Sequence, residues 1–176
     1  MQTVKNPILA GFYPDPSICF ANGKYYLVTS TFAYFPGVPI FESEDLHSWR
    51  QIGHVLTRPG QLPLLGARQS QGIFAPSIRF FDGIFYMITT NVFRGGNFVV
   101  TATDPAGPWS EPHYIEGAAG IDPSLFFDDD GSCYYIGQRE NPAGAKYYGD
   151  CVVYIQRFNT QTMQLEGDYE IGRAHV

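Results

Sequence analysis

Several features are scarce in this 176-residue chain, and each scarcity excludes a class of protein. No window carries apolar residues at a sustained helical spacing, so we expect little helix. No apolar run is long enough to cross a membrane, and the N-terminal residues lack the apolar core of a signal peptide. We therefore expect no membrane partner and a cytoplasmic location, although a trimmed signal peptide would leave the same sequence.

Positive charge is also in short supply. Eleven Lys and Arg stand against seventeen Asp and Glu, for a net charge of −6. Binding to phosphates requires a basic face, so no nucleic-acid partner is expected. The acidic run at 128–130 lies beside a Gly, and this pattern favours a solvated turn over a metal site. We expect no metal and no cofactor.

Cysteine is rare as well. The three residues Cys19, Cys133 and Cys151 form an odd set without paired spacing. This number argues against a disulfide framework or a zinc site, and small buried hydrophobic side chains are the better interpretation.

Aromatic residues, Gly and Pro are plentiful, and they accompany a repeated motif. Aromatics make up 16% of the chain, and its 19 Gly and 13 Pro are spread along it, as many short strands and turns require. The motif is Asp-Pro-Ser at 15–17, Ala-Pro-Ser at 75–77 and Asp-Pro-Ser at 122–124. After each copy, Asn-Gly or Asp-Gly precedes an alternating aromatic run, which predicts a β-hairpin. Similar units at such spacing indicate a repeat architecture.

A second marker extends the unit to four strands. Trp49 and Trp109 each follow an alternating apolar run and precede a further short strand. Four-stranded sheets repeated about an axis form a β-propeller, so we predict an all-β fold with blades at about 11–65, 70–118 and 120–170. Three blades do not close a ring. We therefore expect residues 1–176 to be part of a longer catalytic propeller rather than an arc that closes with copies of itself.

Two carboxylates occupy matching places in the repeat. Asp15 and Asp122 open their inner strands, whereas Ala75 shows that this position does not always carry a carboxylate. Asp followed by Pro is also a good turn opener, so a structural role stays open, more so for Asp122. We expect the two side chains to project from neighbouring sheets into one sugar-sized hollow.

Paired carboxylates and aromatic rings together suit glycoside hydrolysis. One carboxylate activates water or attacks, while an acid protonates the leaving oxygen. Aromatic faces match the apolar C–H face of a sugar ring. The candidates for such contacts are Phe32, Tyr34, Phe35 and Phe74, and the expected partner is a small oligosaccharide.

With these residues in place, the chain resembles glycoside hydrolase family 43, in particular its β-xylosidase and α-L-arabinofuranosidase members. The resemblance runs from about residue 6 to residue 165. It is carried by Asn-Pro-Ile-Leu at 6–9, Gly-Phe-Tyr-Pro-Asp-Pro-Ser at 11–17, Thr-Ser-Thr-Phe at 29–32, Tyr-Phe-Pro-Gly-Val at 34–38, Gly-Ile-Phe-Ala-Pro at 72–76 and Gly-Ile-Asp-Pro-Ser at 120–124. It implies a five-bladed propeller and an inverting, exo-acting mechanism.

The resemblance also implies roles for single residues. Asp15 matches the general base, and Asp122 matches the aspartate that orients the general acid and raises its pKa. Phe32 matches an aromatic that lines the sugar subsite, and Phe74 falls where relatives often carry Trp. The general acid, a Glu in a Glu-Gly-Pro-His type of motif, has no match here, because Glu166 is followed by Gly-Asp. We expect that Glu outside these residues, and little or no activity from residues 1–176 alone.

Other functions stay open on the sequence alone. A retaining fructan- or sucrose-cleaving propeller predicts Asn directly before the first-blade Asp, where Pro14 stands instead. A non-catalytic carbohydrate-binding propeller and a purely structural repeat domain are further alternatives. The choice between xylosidase and arabinofuranosidase, and the oligomeric state, are not decided by these residues.

Overall fold

The computed structural model describes residues 5–172, so the first and last four residues of the predicted domain lie outside the described residues. All regular structure in the described part is β-strand, arranged in three antiparallel sheets of four strands each. Residues 5–172 contain no helix of the length and hydropathy that crossing a bilayer requires.

Each sheet is built from consecutive strands in chain order. The first sheet contains β1 (Ser17–Ala21), β2 (Lys24–Val28), β3 (Gly37–Ser43) and β4 (Arg50–Leu56). The second contains β5 (Ser77–Phe81), β6 (Ile84–Asn91), β7 (Gly96–Ala102) and β8 (His113–Tyr114). The third contains β9 (Ile121–Phe127), β10 (Cys133–Glu140), β11 (Cys151–Asn159) and β12 (Gln164–Gly172). Three such sheets in succession are blades of a β-propeller, as the repeat predicts.

The first two hairpin turns have the backbone that their sequences favour. Asn22 and Gly23 have φ of 51° and 80°, and Asp82 and Gly83 have φ of 47° and 77°. Positive φ at both central residues is the signature of the tight primed turn that matches strand twist. The third turn differs, because the connection from β9 to β10 has five residues, and the Asp128 N–H bonds the Ser132 carbonyl at 2.8 Å. The acidic run lies in this exposed turn.

The two Trp markers have the same local role. The Trp49 indole N–H donates to the Leu46 carbonyl at 3.2 Å, and the Trp109 indole N–H donates to the Pro105 carbonyl at the same distance. Each ring thus closes the outer turn before the last strand of its sheet. Trp109 is also buried between the first and second sheets.

The core lies between the sheets in two layers. One layer, between the first and second sheets, includes Ile40 and Met87, and the other, between the second and third, includes Leu125 and Tyr135. Along most strands alternate residues enter these layers, because side chains of a strand point to opposite faces. The second sheet is therefore buried on both faces, which agrees with its nearly continuous apolar strands.

The inner strands β1, β5 and β9 are joined through the serines of the repeated motif. The Ile78 N–H donates to Ser17 Oγ at 3.1 Å, and Ser77 Oγ lies 3.1 Å from Ser124 Oγ. Arg79 also donates to Ser124 Oγ, at 2.9 Å. The three motif copies are therefore equivalent in space, which places the residues two positions before each serine at one end of the arc.

Candidate functional site

Asp15 stands just before β1, and its side chain is held by the segment that follows β2. Its φ of 54° is in the left-handed region, which Asp tolerates better than most residues. The Ser30 hydroxyl donates to Asp15 Oδ2 at 2.6 Å, and the Ser30 N–H bonds the Pro14 carbonyl at 3.0 Å. Ser30 is only 1% exposed, so its hydroxyl is a fixed donor. The carboxylate is oriented by this contact while its residue stays open to solvent.

Phe32 lies in the loop between β2 and β3 and is fixed from the second sheet. Its N–H bonds the Ile73 carbonyl at 2.9 Å, and its carbonyl accepts from the Ile73 N–H at 3.0 Å. Gly72 permits this approach, because a Cβ there would lie 2.3 Å from the Phe32 carbonyl oxygen. The backbone of the loop is thereby clamped to residues 72–74.

Three phenylalanine rings form a continuous aromatic wall. The rings of Phe12 and Phe32 have centroids 5.9 Å apart, and those of Phe32 and Phe74 are 5.5 Å apart in an edge-to-face arrangement. Such pairs are worth about 0.5–1.5 kcal/mol beyond their burial. Phe74 supports Phe32 in this wall and is itself half-buried.

A cavity of about 450 Å³ lies against this wall and against Asp15. Its lining residues are Phe12, Pro14, Asp15, Phe32, Tyr34, Gln69 and Ser70. The volume falls within the range of small-molecule sites, and aromatic walls with one carboxylate are the composition that such sites have. Phe74 and Phe35 are not among the lining residues, whereas Tyr34 is.

Asp122 lies at the start of β9, in a β-bulge. Ser124 pairs with Ile136 and Ile121 pairs with Gln138, so two residues of β9 face one of β10 at this point. Bulges of this kind re-aim a side chain and are common beside active sites. Burial against its surroundings raises the pKa of the Asp122 carboxyl, and the negative charge of Asp15 raises it further. The two carboxylates therefore share one electrostatic environment.

One expectation about these aspartates needs correction. They do not project from neighbouring sheets, because the second sheet stands between the first and the third. The lining of the cavity beside Asp15 does not include Asp122, but the charge of Asp15 acts on the Asp122 carboxyl. Furthermore, Asp15 and Asp122 have φ of 54° and 56°, whereas Ala75 has no positive φ. The contrast with Ala75 thus has a backbone explanation as well as a chemical one.

Sequence reasoning missed three polar residues of this region. Ser30 orients Asp15, and Gln69 and Ser70 reach the cavity from the long connection between the first two sheets. Ser30 lies at a distance of 15 residues from its partner, so no local motif indicates the contact. The Asn22-Gly23 turn predicts that β1 and β2 form a hairpin, and the register of that hairpin, with Ser17 opposite Val28, places the end of β2 beside the start of β1.

By its fold and site, the protein is a β-propeller whose repeated inner-strand motif presents an aspartate to an aromatic cavity. The model of the glycosyl hydrolases family 43 matches residues 4–173, so the chain belongs to that family. A xylosidase/arabinosidase of Butyrivibrio fibrisolvens is 60% identical over 169 residues, which are 95% of this chain and 32% of that protein.

Further similarities agree with this assignment. A non-reducing end α-L-arabinofuranosidase of Bacteroides ovatus is 49% identical over 139 residues, which cover 77% of this chain and 26% of that protein. The crystal structure of a xylan β-1,4-xylosidase from Bacillus halodurans matches with a TM-score of 0.88 at 39% identity, over 96% of this chain and 33% of that one. The chain therefore spans between about a quarter and a third of the length of these relatives.

Proposed function

We propose that this chain is the base-carrying part of an inverting, exo-acting glycosidase that releases xylose or arabinose from xylan-derived oligosaccharides. The observation that carries the proposal is Asp15, a fixed carboxylate in the lining of a cavity whose walls are aromatic. The names of the similar xylosidases and arabinofuranosidases support the substrate class.

In this proposal Asp15 is the general base. Its Oδ2 accepts the Ser30 hydroxyl, so the other carboxylate oxygen is the one that takes a proton from water. Phe32 binds the face of the sugar, and Phe74 holds Phe32 in place from behind. Asp122 orients the acid. Its pKa is raised by partial desolvation and by the negative charge of Asp15. The acid itself is supplied from outside these residues, roughly 6.5–9.5 Å from Asp15, which leaves room for the water.

Sugar binding tests the cavity, and it is measured in the longest polypeptide that contains this chain. Binding of D-xylose and L-arabinose is followed by NMR, and we expect Phe32→Ala to weaken binding of the preferred sugar. Trp49→Ala, at the outer turn of the first sheet, is the control and should leave binding unchanged. Absence of binding for both sugars contradicts the proposal.

Hydrolysis tests the chemistry, and it is measured in the longest polypeptide that contains this chain. Asp15→Asn keeps an acceptor for Ser30 but removes the base, so the rate should fall by about 10²–10⁴. NMR of the first product should show an inverted anomeric centre. Retention, or an unchanged rate in Asp15→Asn, overturns the assigned mechanism. Ordinary xyloside hydrolysis by residues 1–176 alone contradicts an external acid.

A further inference from the structure

The lining of the cavity beside Asp15 has an aromatic part and a polar part. Apart from the Asp15 carboxylate and the Tyr34 hydroxyl, its polar side chains are Gln69 and Ser70. An aromatic face contacts the apolar C–H groups of a sugar but gives no partner to the hydroxyl groups at the edge of the ring. Those hydroxyls lose water when the sugar binds, so each needs a donor or an acceptor from the protein.

Gln69 and Ser70 are the two central residues of a turn that their neighbours close. The Gln71 N–H donates to the Arg68 carbonyl at 2.9 Å, and the Arg68 N–H donates to Gln71 Oε1, also at 2.9 Å. The turn therefore does not depend on the side chain of Gln69 or Ser70, and neither residue has a positive φ. Both are exposed, and neither side chain is hydrogen-bonded to another residue in the described range 5–172. Their donors and acceptors are available to a ligand.

This turn is also fixed relative to the aromatic part of the lining. Gly72 follows it, and the Gly72 carbonyl accepts the Val92 N–H at 2.9 Å. The next residue, Ile73, exchanges two backbone hydrogen bonds with Phe32. The polar turn thus leads directly into the backbone pairing that holds the Phe32 ring. Ring and turn are preorganised together, which reduces the entropy lost when a ligand binds.

An amide beside a hydroxyl has the groups that sugar hydroxyls require. The Gln69 side chain carries two N–H donors and a carbonyl acceptor, and the Ser70 hydroxyl both donates and accepts. Pentoses share their C–H groups and differ in where their hydroxyls point. A site that hydrogen-bonds a substrate hydroxyl therefore disfavours a sugar that has this group elsewhere, because the protein's polar groups then lose their partner.

We propose that Gln69 and Ser70 bind hydroxyl groups of the sugar in the cavity and thereby determine which pentose the site prefers. The assignment rests on the proposed function, because it takes this cavity as the site of the terminal sugar. It places the selectivity in the connection between the first and second sheets, whereas the aromatic rings contact what the pentoses have in common.

The test compares two glycosides in the longest polypeptide that contains this chain. The value of kcat/KM is measured for 4-nitrophenyl β-D-xylopyranoside and 4-nitrophenyl α-L-arabinofuranoside in the unsubstituted protein, in Gln69→Ala and in Ser70→Ala. We expect each variant to lower kcat/KM for the better substrate about two- to tenfold, the effect of one lost hydrogen bond. The loss for the other glycoside should be smaller, so the ratio of the two values changes. The change should lie in KM, because the contact exists in the substrate complex as well as in the transition state.

Two further variants serve as controls. Ser70→Thr keeps the hydroxyl and should retain the ratio of the unsubstituted protein. Gln161→Ala removes an exposed amide from the turn between β11 and β12, outside the cavity lining, and should change neither value. Circular dichroism of each variant checks that the fold is retained.

The outcomes separate this inference from the proposed function. Equal losses for the two glycosides, or no loss, in Gln69→Ala or Ser70→Ala overturn the assignment of that residue. Hydrolysis by the unsubstituted protein then leaves the proposed function standing. A protein that hydrolyses neither glycoside overturns the proposed function and this inference together.

Discussion

Asp122 and Asp45 show how the same side chain responds to opposite surroundings. Asp122 loses hydration and faces the charge of Asp15, so its pKa is raised. Asp45 accepts the backbone N–H groups of Ser48 and His47, which lower its pKa to about 2. The pKa therefore distinguishes a carboxyl that is desolvated beside another negative charge from one that accepts backbone hydrogen bonds in a turn.

These two residues predict opposite effects of pH on folding. The folded pKa of Asp122 is above its unfolded value, so its contribution to stability is largest below the ordinary Asp pKa and falls as the pH rises through the folded value. Asp122→Asn removes this loss. The unfolding free energy of the variant, relative to that of the unsubstituted protein, should therefore be higher at pH 7 than at pH 3. The gain should be below about 1 kcal/mol, because solvent screens the carboxyl.

Asp45→Asn is the matched control with the reverse sign. The folded pKa of Asp45 is depressed, so its stabilising effect is present above the ordinary Asp pKa and is lost as the pH falls toward 2. Asp45→Asn should therefore destabilise the chain at pH 7 and have little effect at the acid end. Urea unfolding across pH 2–7 measures both variants, and parallel pH profiles for the two would contradict the assignment.

At the scale of elements, the loop that carries Phe32 depends on one glycine. Gly72 has φ of 94°, and a Cβ there would meet both the carbonyl carbon and oxygen of Phe32. The clamp between this loop and residues 72–74 therefore has no room for a side chain. Because this backbone pairing sets the position of Phe32, a substitution at Gly72 should also displace the Phe32 ring in the cavity wall.

Gly72→Ala is predicted to cost about 2–4 kcal/mol of unfolding free energy, from the left-handed backbone together with the clash. Gly23→Ala is the control, because Gly23 also has positive φ but no atom within 4 Å of the added Cβ. It should cost about 1 kcal/mol. Equal losses in the two variants, measured by urea unfolding, would show that the close approach to Phe32 is unimportant.

The hairpins and the site differ in how far the sequence predicts them. Asn22-Gly23 and Asp82-Gly83 encode their turns locally, since the residues that need positive φ are the ones that tolerate it. Asp130-Gly131 carries the same signal, but the turn extends to Ser132, because Ser132 accepts the Asp128 N–H and closes a wider loop. The contribution of Gln69 and Ser70 to the cavity was not predictable, since it depends on how the connection 57–71 folds back across the first sheet.

For the whole molecule, that same connection is fastened by one buried side chain. Gln61 is fully buried, and its Oε1 accepts from the N–H groups of Thr57 and Arg58. Its Nε2 donates to the carbonyls of Ser110, at 2.7 Å, and Trp109, at 3.4 Å. This amide thus joins the end of the first sheet to the outer part of the second.

Gln61→Leu should destabilise the chain by about 2–4 kcal/mol, because it removes the four hydrogen bonds of a fully buried amide that link the Thr57 and Arg58 N–H groups to the Trp109 and Ser110 carbonyls. Gln51→Leu, on the exposed outer strand, should change stability by no more than about 0.5 kcal/mol. Denaturant unfolding compares them. Similar losses for both would show that the amide does not join the sheets. Hydrogen exchange should also show earlier opening of residues 57–71 in the Gln61 variant.

The serines that join the inner strands bear on the geometry of the ring. The Ser17 hydroxyl accepts from the Ile78 N–H, and the Ser77 hydroxyl lies against that of Ser124, so neighbouring inner strands are separated by little more than a hydroxymethyl group at these contacts. Bulkier side chains there would push neighbouring inner strands apart and change the angle between successive blades. Since the sum of these angles decides how many blades complete a propeller, three small side chains help to determine its symmetry.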